Sequence, residues 1–295
     1  MGEFVGLIGL GLAGTALAER LLTHGFKVVG FDIDPSKNDR FASLGGNVAA
    51  GVTAVAQESR RVILSLMTTQ IVQEVVEGPD GLLRSGYPPS HIIDTTTGDP
   101  DLIVALSERL AERGISYLDA TVSGSSRQIR DGKSVFMVGG KLEDFESCRD
   151  LFAALSEKVV HVGPCGAGSK AKLAVNLILG LNRAALAEGF VFAEGLGLEL
   201  NSFLDLLRIS PAYSAAVDVK GAKMIAGDFT TEARLSQHLK DISLILEHAE
   251  KTGQDLPLTR THSDLLQRAV EAGEGDLDNS AVIREIRRRR AGQMQ

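Results

Sequence analysis

Only two cysteines occur in the 295 residues, Cys148 and Cys165. That excludes a disulfide framework and a zinc site built from thiolates alone. A reduced, cytoplasmic protein is the matching expectation. The six histidines form no metal-ligand spacing with nearby Cys, Asp or Glu, so no metal is expected. No apolar run approaches the roughly 18 residues needed to span a bilayer, so no membrane partner is expected. Phe4–Ile8 is apolar but lacks a basic leader and a small-residue cleavage site, so no signal peptide is expected. Excess positive charge is missing too. Against 38 Asp+Glu stand 31 Lys+Arg, a net charge of −7, which argues against general nucleic-acid binding. Repeats and low-complexity tracts are absent. What remains is 44% hydrophobic and 23% charged, an ordinary globular chain long enough for one large or two ordinary domains.

Short runs rich in Val and Ile alternate with helical patterns through the first half. Phe4–Ile8, Lys27–Phe31, Arg61–Leu66, His91–Asp94, Ser116–Ala120, Val135–Val138 and Val159–Val162 read as strands. Leu12–His24, Thr69–Glu77, Asp99–Arg113 and Leu142–Leu155 read as helices between them. Such alternation predicts right-handed βαβ crossovers and a mostly parallel, doubly wound α/β sheet of the Rossmann type. The pattern changes at Gly163-Pro164, so a dinucleotide-binding domain is expected over 1–163 and an all-helical domain over 164–295. Ser169–Leu196 is apolar nearly all round, which predicts a helix more than roughly 40 Å long. A helix of that kind is normally buried. Further helices are expected at Ser202–Ile209, Val219–Ile225, Thr231–Thr252, Pro257–Ala272 and Ser280–Arg290.

Gly9-Leu10-Gly11-Leu12-Ala13-Gly14 follows the first strand and opens the first helix. Glycines there permit a tight turn, close approach to a pyrophosphate and packing of helix on strand, with phosphates on free N–H groups at the helix start. Asp32 ends the second strand 18 residues later. Its carboxylate can accept from ribose hydroxyls and would repel a 2′-phosphate, so NAD is expected, NADP less so. Lys172 and Asn176, four apart, share one face of the long apolar helix, just after Gly166-Ala-Gly168. A lysine in such a place is either an acid/base group, its pKa drawn from about 10.4 toward 7–8, or a side chain snorkelling to the surface. Asp119-Ala-Thr-Val-Ser123-Gly124-Ser125-Ser126 follows a strand at the usual ligand crevice, where successive N–H groups can hold an anion or simply form a polar loop.

These motifs in this order resemble the β-hydroxyacid dehydrogenases, the group containing 3-hydroxyisobutyrate dehydrogenase and tartronate semialdehyde reductase, over essentially the whole chain. The resemblance implies Lys172 as catalytic acid/base and Asn176 beside it in catalysis, helping to hold substrate. It further implies Ser123, Gly124, Ser125 and Asp241 against the substrate, with Lys240 and Asp241 closing the site. Cofactor contacts are implied from Gly9, Leu10, Gly11, Leu12, Ala13, Gly14, Asp32, Met67, Thr96 and Lys240. The implied activity is hydride transfer between NAD and a small 3-hydroxy acid or its semialdehyde, in a 6-phosphogluconate dehydrogenase-like two-domain chain. The substrate segment departs from the family: Ser125 replaces a second glycine and Gln128-Ile129 a Gly-Ala pair, while Val175 replaces an asparagine, Thr68 a proline and Ala13 a methionine. A reductase of a larger acid, recognised through Arg127 and Arg130, is one alternative. A catalytically silent dinucleotide-binding scaffold or sensor is the other, though the presence of Lys172 speaks against relatives that have lost it.

Arg287–Arg290 is the densest charge run and reads as a solvated helix end before it reads as an anion site. The apolar content of the helical half predicts a homodimer or a dimer of dimers.

Overall fold

In the computed structural model, which describes residues 4–292, the chain divides into two compact units, the first ending at Lys172 and the second starting at Leu173. The first unit holds one sheet of eight strands: β1 (Phe4–Ile8), β2 (Val28–Phe31), β3 (Asn47–Val48), β4 (Ser59–Leu64), β5 (His91–Asp94), β6 (Ser116–Ser123), β7 (Val135–Gly139) and β8 (Lys158–Gly163). Their order is β3-β2-β1-β4-β5-β6-β7-β8. All neighbours are parallel except the antiparallel pair β6 and β7. The helices of this unit are α1 (Leu12–Thr23), α2 (Pro35–Ser43), α3 (Val52–Glu58), α4 (Thr69–Glu77), α5 (Pro100–Ala111), α6 (Ser126–Arg130), α7 (Leu142–Ser147) and α8 (Arg149–Leu155).

Strand residues alternate between two covered faces, so β1 contributes Val5 and Leu7 to one core and Ile8 to the other. Both faces are apolar because helices cover both, as a doubly wound sheet requires. The order reverses between β1 and β4, and the carboxyl ends of β1, β4, β5 and β6 lie along one sheet edge. A crevice at such a reversal is where this architecture binds ligands.

Helix α9 (Ala167–Gly195) leads into the second unit, followed by α10 (Leu200–Ile209), α11 (Ala215–Ala226), α12 (Leu235–Lys251), α13 (Pro257–Ala269) and α14 (Val282–Gly292). No strand occurs among the described residues beyond Gly163, only an isolated bridge between Arg234 and Asp278. Two expectations need correction. β6 runs on to Ser123 and the chain then turns back through α6 to pair β7 with it, so the polar segment Asp119–Ser126, expected to be a loop, is strand as far as Ser123 and ends at the N-cap and first residue of α6. The long apolar helix is not buried on every side, since Ile178 and Phe192 are 59% and 67% exposed. It also carries an 18-residue window of mean hydropathy 1.3, long and apolar enough by composition to cross a membrane, of which 39% is buried within the chain.

Candidate active site

The turn after β1 is built from glycines for steric reasons. Gly9 has φ +92°, and a Cβ there would collide with the Ser65 carbonyl oxygen. At Gly14 a Cβ would strike the Gly9 carbonyl, so α1 packs against the turn only without a side chain. Gly11 is different, with nothing within 4 Å of the position its Cβ would take. It opens α1 with no side-chain cap and no acidic residue in the first turn. Uncapped N–H groups and the positive end of the helix dipole therefore face an open approach, which fits a pyrophosphate. Leu10 points into the core at 2% exposure, while Leu12 is exposed at the crevice side of the turn.

Leu10 N–H donates to Asp32 Oδ2 at 2.8 Å, so the glycine turn and the end of β2 are tied together. Asp34 N–H donates to Asp32 Oδ1 at 3.0 Å, and Lys37 Nζ lies 3.2 Å from the same oxygen. Asn38 clamps the Asp32 backbone on both sides, accepting from its N–H and donating to its carbonyl. Lys37 on the carboxylate is a contact that the motif itself does not announce.

At the end of β5, Asp94 Oδ1 accepts from Thr96 N–H at 2.9 Å, and Tyr117 Oη donates to Oδ2 at 2.6 Å. Thr96 Oγ1 in turn accepts from Leu66 N–H at 3.1 Å. Thr96 is thus buried with its hydroxyl engaged in the loop, and Met67 beside it is exposed at the crevice edge. Burial pushes Asp94 up to about 6 despite these bonds, and burial followed by the Asp94 charge holds Tyr117 well above its usual value. Asp94 was not foreseen as a site residue. Its signal was there: an acid closing an apolar strand, directly before three threonines.

β6 leads into the segment expected to meet the substrate. The strand ends at Ser123, and Gly124 follows at φ +151°, where a Cβ would lie 3.0 Å from Ser134 Cβ. Ser125 does not line an open loop. It is the N-cap of α6, its hydroxyl accepting from Gln128 N–H while Gln128 Oε1 accepts from Ser125 N–H. The capping box engages the hydroxyl as an acceptor, and the departures at 125 and 128 are explained together. Arg127 and Arg130 are exposed on α6, with Arg130 near Glu19 at 3.8 Å.

Lys172 and Asn176 lie one turn apart on α9, 8% and 6% exposed. In the second unit Asn176 Nδ2 donates to Asp241 Oδ2 at 2.9 Å, and Lys240 Nζ lies 3.1 Å from Asp241 Oδ1. Asp241 therefore holds the amide of Asn176 in one orientation. The arginine run makes internal ion pairs: Arg287 with Glu194, Arg288 with Glu274 and Glu285, Arg289 with Glu285 and Asp264. Its charge is matched within the second unit; the Arg290 side chain lies outside the described residues.

Comparison with known proteins agrees with this geometry. Residues 4–163 match the family described as the NAD binding domain of 6-phosphogluconate dehydrogenase. Residues 166–286 match the family described as the NAD-binding domain of NADP-dependent 3-hydroxyisobutyrate dehydrogenase. The chain is 31% identical to L-threonate dehydrogenase of Cupriavidus necator over 285 residues, 96% of each protein. It is also 31% identical to 2-(hydroxymethyl)glutarate dehydrogenase of Eubacterium barkeri, over 95% of this chain and 93% of that one. Among solved structures, 3-hydroxyisobutyrate dehydrogenase of Mycobacterium tuberculosis superimposes with a TM-score of 0.85 at 28% identity, covering 97% of this chain and all of that one.

Proposed function

Given that this chain belongs to the β-hydroxyacid dehydrogenase family and is a nicotinamide-dependent oxidoreductase acting on a CH–OH group, we propose that it interconverts a small 3-hydroxy acid and the corresponding semialdehyde, with Lys172 as the general acid/base. The observation that carries this reading is a lysine held 8% exposed at the first turns of α9, one turn before the buried Asn176. Bound nicotinamide supplies the hydride acceptor or donor. Lys172 takes the hydroxyl proton in oxidation and returns a proton to the carbonyl oxygen in reduction, so it must be neutral for the first and charged for the second. Asn176, oriented by Asp241, supplies an amide donor to the substrate oxygen. Ser123 and the open backbone at Gly124 receive the carboxylate.

Relatives named for L-threonate and 2-(hydroxymethyl)glutarate carry substituents beyond a bare three-carbon acid. A larger, more polar hydroxy acid is the second reading, favoured by the exposed Arg127 on the helix that follows Gly124. The same proposal includes a cytoplasmic homodimer or dimer of dimers associating through the second unit, where Phe192 and Ile209 stand 67% and 85% exposed.

The test is turnover with a panel of hydroxy acids and NAD, in the unmodified protein and in Lys172→Ala. General acid–base groups contribute about 10²- to 10⁴-fold, and turnover should fall by about that factor. NAD affinity should hold, because the glycine turn and Asp32 are untouched. Turnover within a few-fold of the parent would refute the assignment.

A further inference from the structure

Helix α9 begins without a cap of its own. Gly166 precedes its first residue, has φ +88° and offers no side chain. The missing acceptor comes from β6, 47 and 50 residues earlier. Asp119 Oδ1 accepts from Gly166 N–H at 3.0 Å, and Asp119 Oδ2 accepts from Ser169 N–H at 2.8 Å. One carboxylate thereby satisfies two of the amides that every helix start leaves open. Two residues along the strand, Thr121 Oγ1 donates to Gly168 O at 2.9 Å. Both side chains are buried, at 1% and 0% exposure. The approach is so close that a Cβ at Gly168 would collide with the Asp119 carbonyl and lie 2.7 Å from Met137 O. At Gly139 a Cβ would press on Asp119 Oδ1 and lie 2.7 Å from Pro164 O.

β6 ends at Ser123, immediately before Gly124. A single strand therefore carries the substrate segment at its end and grips the first turn of α9 from its middle. Lys172 lies three residues after Ser169, inside the same compact unit. We propose that Asp119 and Thr121 are positioning residues for catalysis: they fix Lys172 relative to Ser123 and Gly124 by clamping the start of α9 to β6. The proposal rests on Lys172 being the acid/base group.

Position matters because proton transfer needs heavy atoms within about 2.6–3.2 Å, and a misplacement of about 1 Å can cost on the order of 10²-fold. A lysine on an extended side chain would drift by more than that if the first turn of α9 frayed. Asp94, opposite Asp119 in register, plays the corresponding part for Thr96.

Thr121→Val keeps shape and removes the donor; Thr121→Ser keeps the donor. Asp119→Asn keeps size and replaces one acceptor by a donor facing an amide. Folding is checked by circular dichroism and NAD affinity by calorimetry. The expected result is a fall in kcat of about tenfold for Thr121→Val and about 100-fold for Asp119→Asn, with NAD affinity within twofold. The limb of the pH–rate profile that vanishes in Lys172→Ala should be displaced in both variants. Thr121→Ser should restore kcat and the limb to within twofold of the parent. A Thr121→Val protein with parental kcat and pH profile overturns the proposal, as does a loss of kcat matched by equal loss of NAD affinity with the pH limb unmoved. Should Asp119→Asn fail to fold, the Val and Ser pair at 121 decides alone. Should Lys172→Ala keep parental turnover, the acid/base reading fails, and that result stands apart from the clamp variants.

Discussion

Lys37 Nζ lies 3.2 Å from Asp32 Oδ1, on the carboxylate that would receive the adenosine ribose. The pair sets two opposing effects on cofactor choice. Asp32 repels a 2′-phosphate, whereas Lys37, with a side chain 40% exposed, is free to swing toward one. Asp32 is 8% exposed and held by two backbone N–H groups, so it is fixed and the lysine is not. The fixed group should dominate. NAD is expected to be favoured at least about tenfold in kcat/KM, roughly 1.4 kcal/mol. Asp32→Ala should narrow the preference and Lys37→Ala should widen it. Equal kcat/KM with NAD and NADP in the unmodified protein would show that the carboxylate does not face the ribose.

The proposed assembly rests on exposed apolar side chains of the second unit. Ile178, Phe192 and Leu196 on or just past α9, with Leu206 and Ile209 on α10, are each more than half exposed. Large uncovered apolar patches on a folded chain usually mark interfaces. Light scattering at micromolar concentration should give a dimer or tetramer mass. Phe192→Glu combined with Ile209→Glu should shift that mass toward the monomer, by placing charge where apolar surface would be buried. A monomeric parent protein would contradict the assembly.

The fold was legible where the period of hydrophobicity was clean. Among the parallel strands β1 is a continuous apolar run, and β4 and β5 carry the shorter buried stretches Val62–Leu64 and Ile92–Ile93, covered on both faces. β3 is two exposed residues, Asn47 and Val48, and carries no such period. The antiparallel turn from β6 to β7 was hidden because Ser123–Ser126 is polar in strand, loop or cap alike, and only the pairing with Val135 reveals it. In the candidate site, Gly9–Gly14, Asp32, Lys172 and Asn176 were singled out by their spacing along the chain. Asp94 was missed although the Thr96 amide it holds is only two residues on, whereas Asp119 was not readable, since the amides it holds lie 47 and 50 residues further along. Nothing local in the sequence says that a strand aspartate caps a distant helix.

The second unit contains a buried pair that should govern its stability against acid. His238 Nε2 and His262 Nε2 are 3.1 Å apart, with the residues 7% and 2% exposed. Gly180 of α9 makes room for them, since a Cβ there would lie 2.8 Å from His238 Nε2 and 3.0 Å from His262 Nε2. At that separation one nitrogen must donate and the other accept, so both rings cannot be protonated together. His262 is pushed down to about 4, first by burial and then by the positive charge of Arg183. The unfolded chain binds this proton near 6.5. Well above pH 6.5, near pH 8, neither state carries it, and the group leaves stability unchanged. As pH falls from 6.5 toward 4 the unfolded state alone takes the proton, so stability declines with falling pH, by about 3 kcal/mol in total. His262→Gln cannot titrate and keeps a polar group against His238. Chemical denaturation of both proteins from pH 8 to pH 4.5 should show the parent losing up to about 3 kcal/mol more than the variant, with most of the divergence below pH 6.5. Acidic groups titrate alike in both proteins and cancel in the difference. Parallel curves across that range would mean that His262 is protonated in the folded protein as readily as in the unfolded chain.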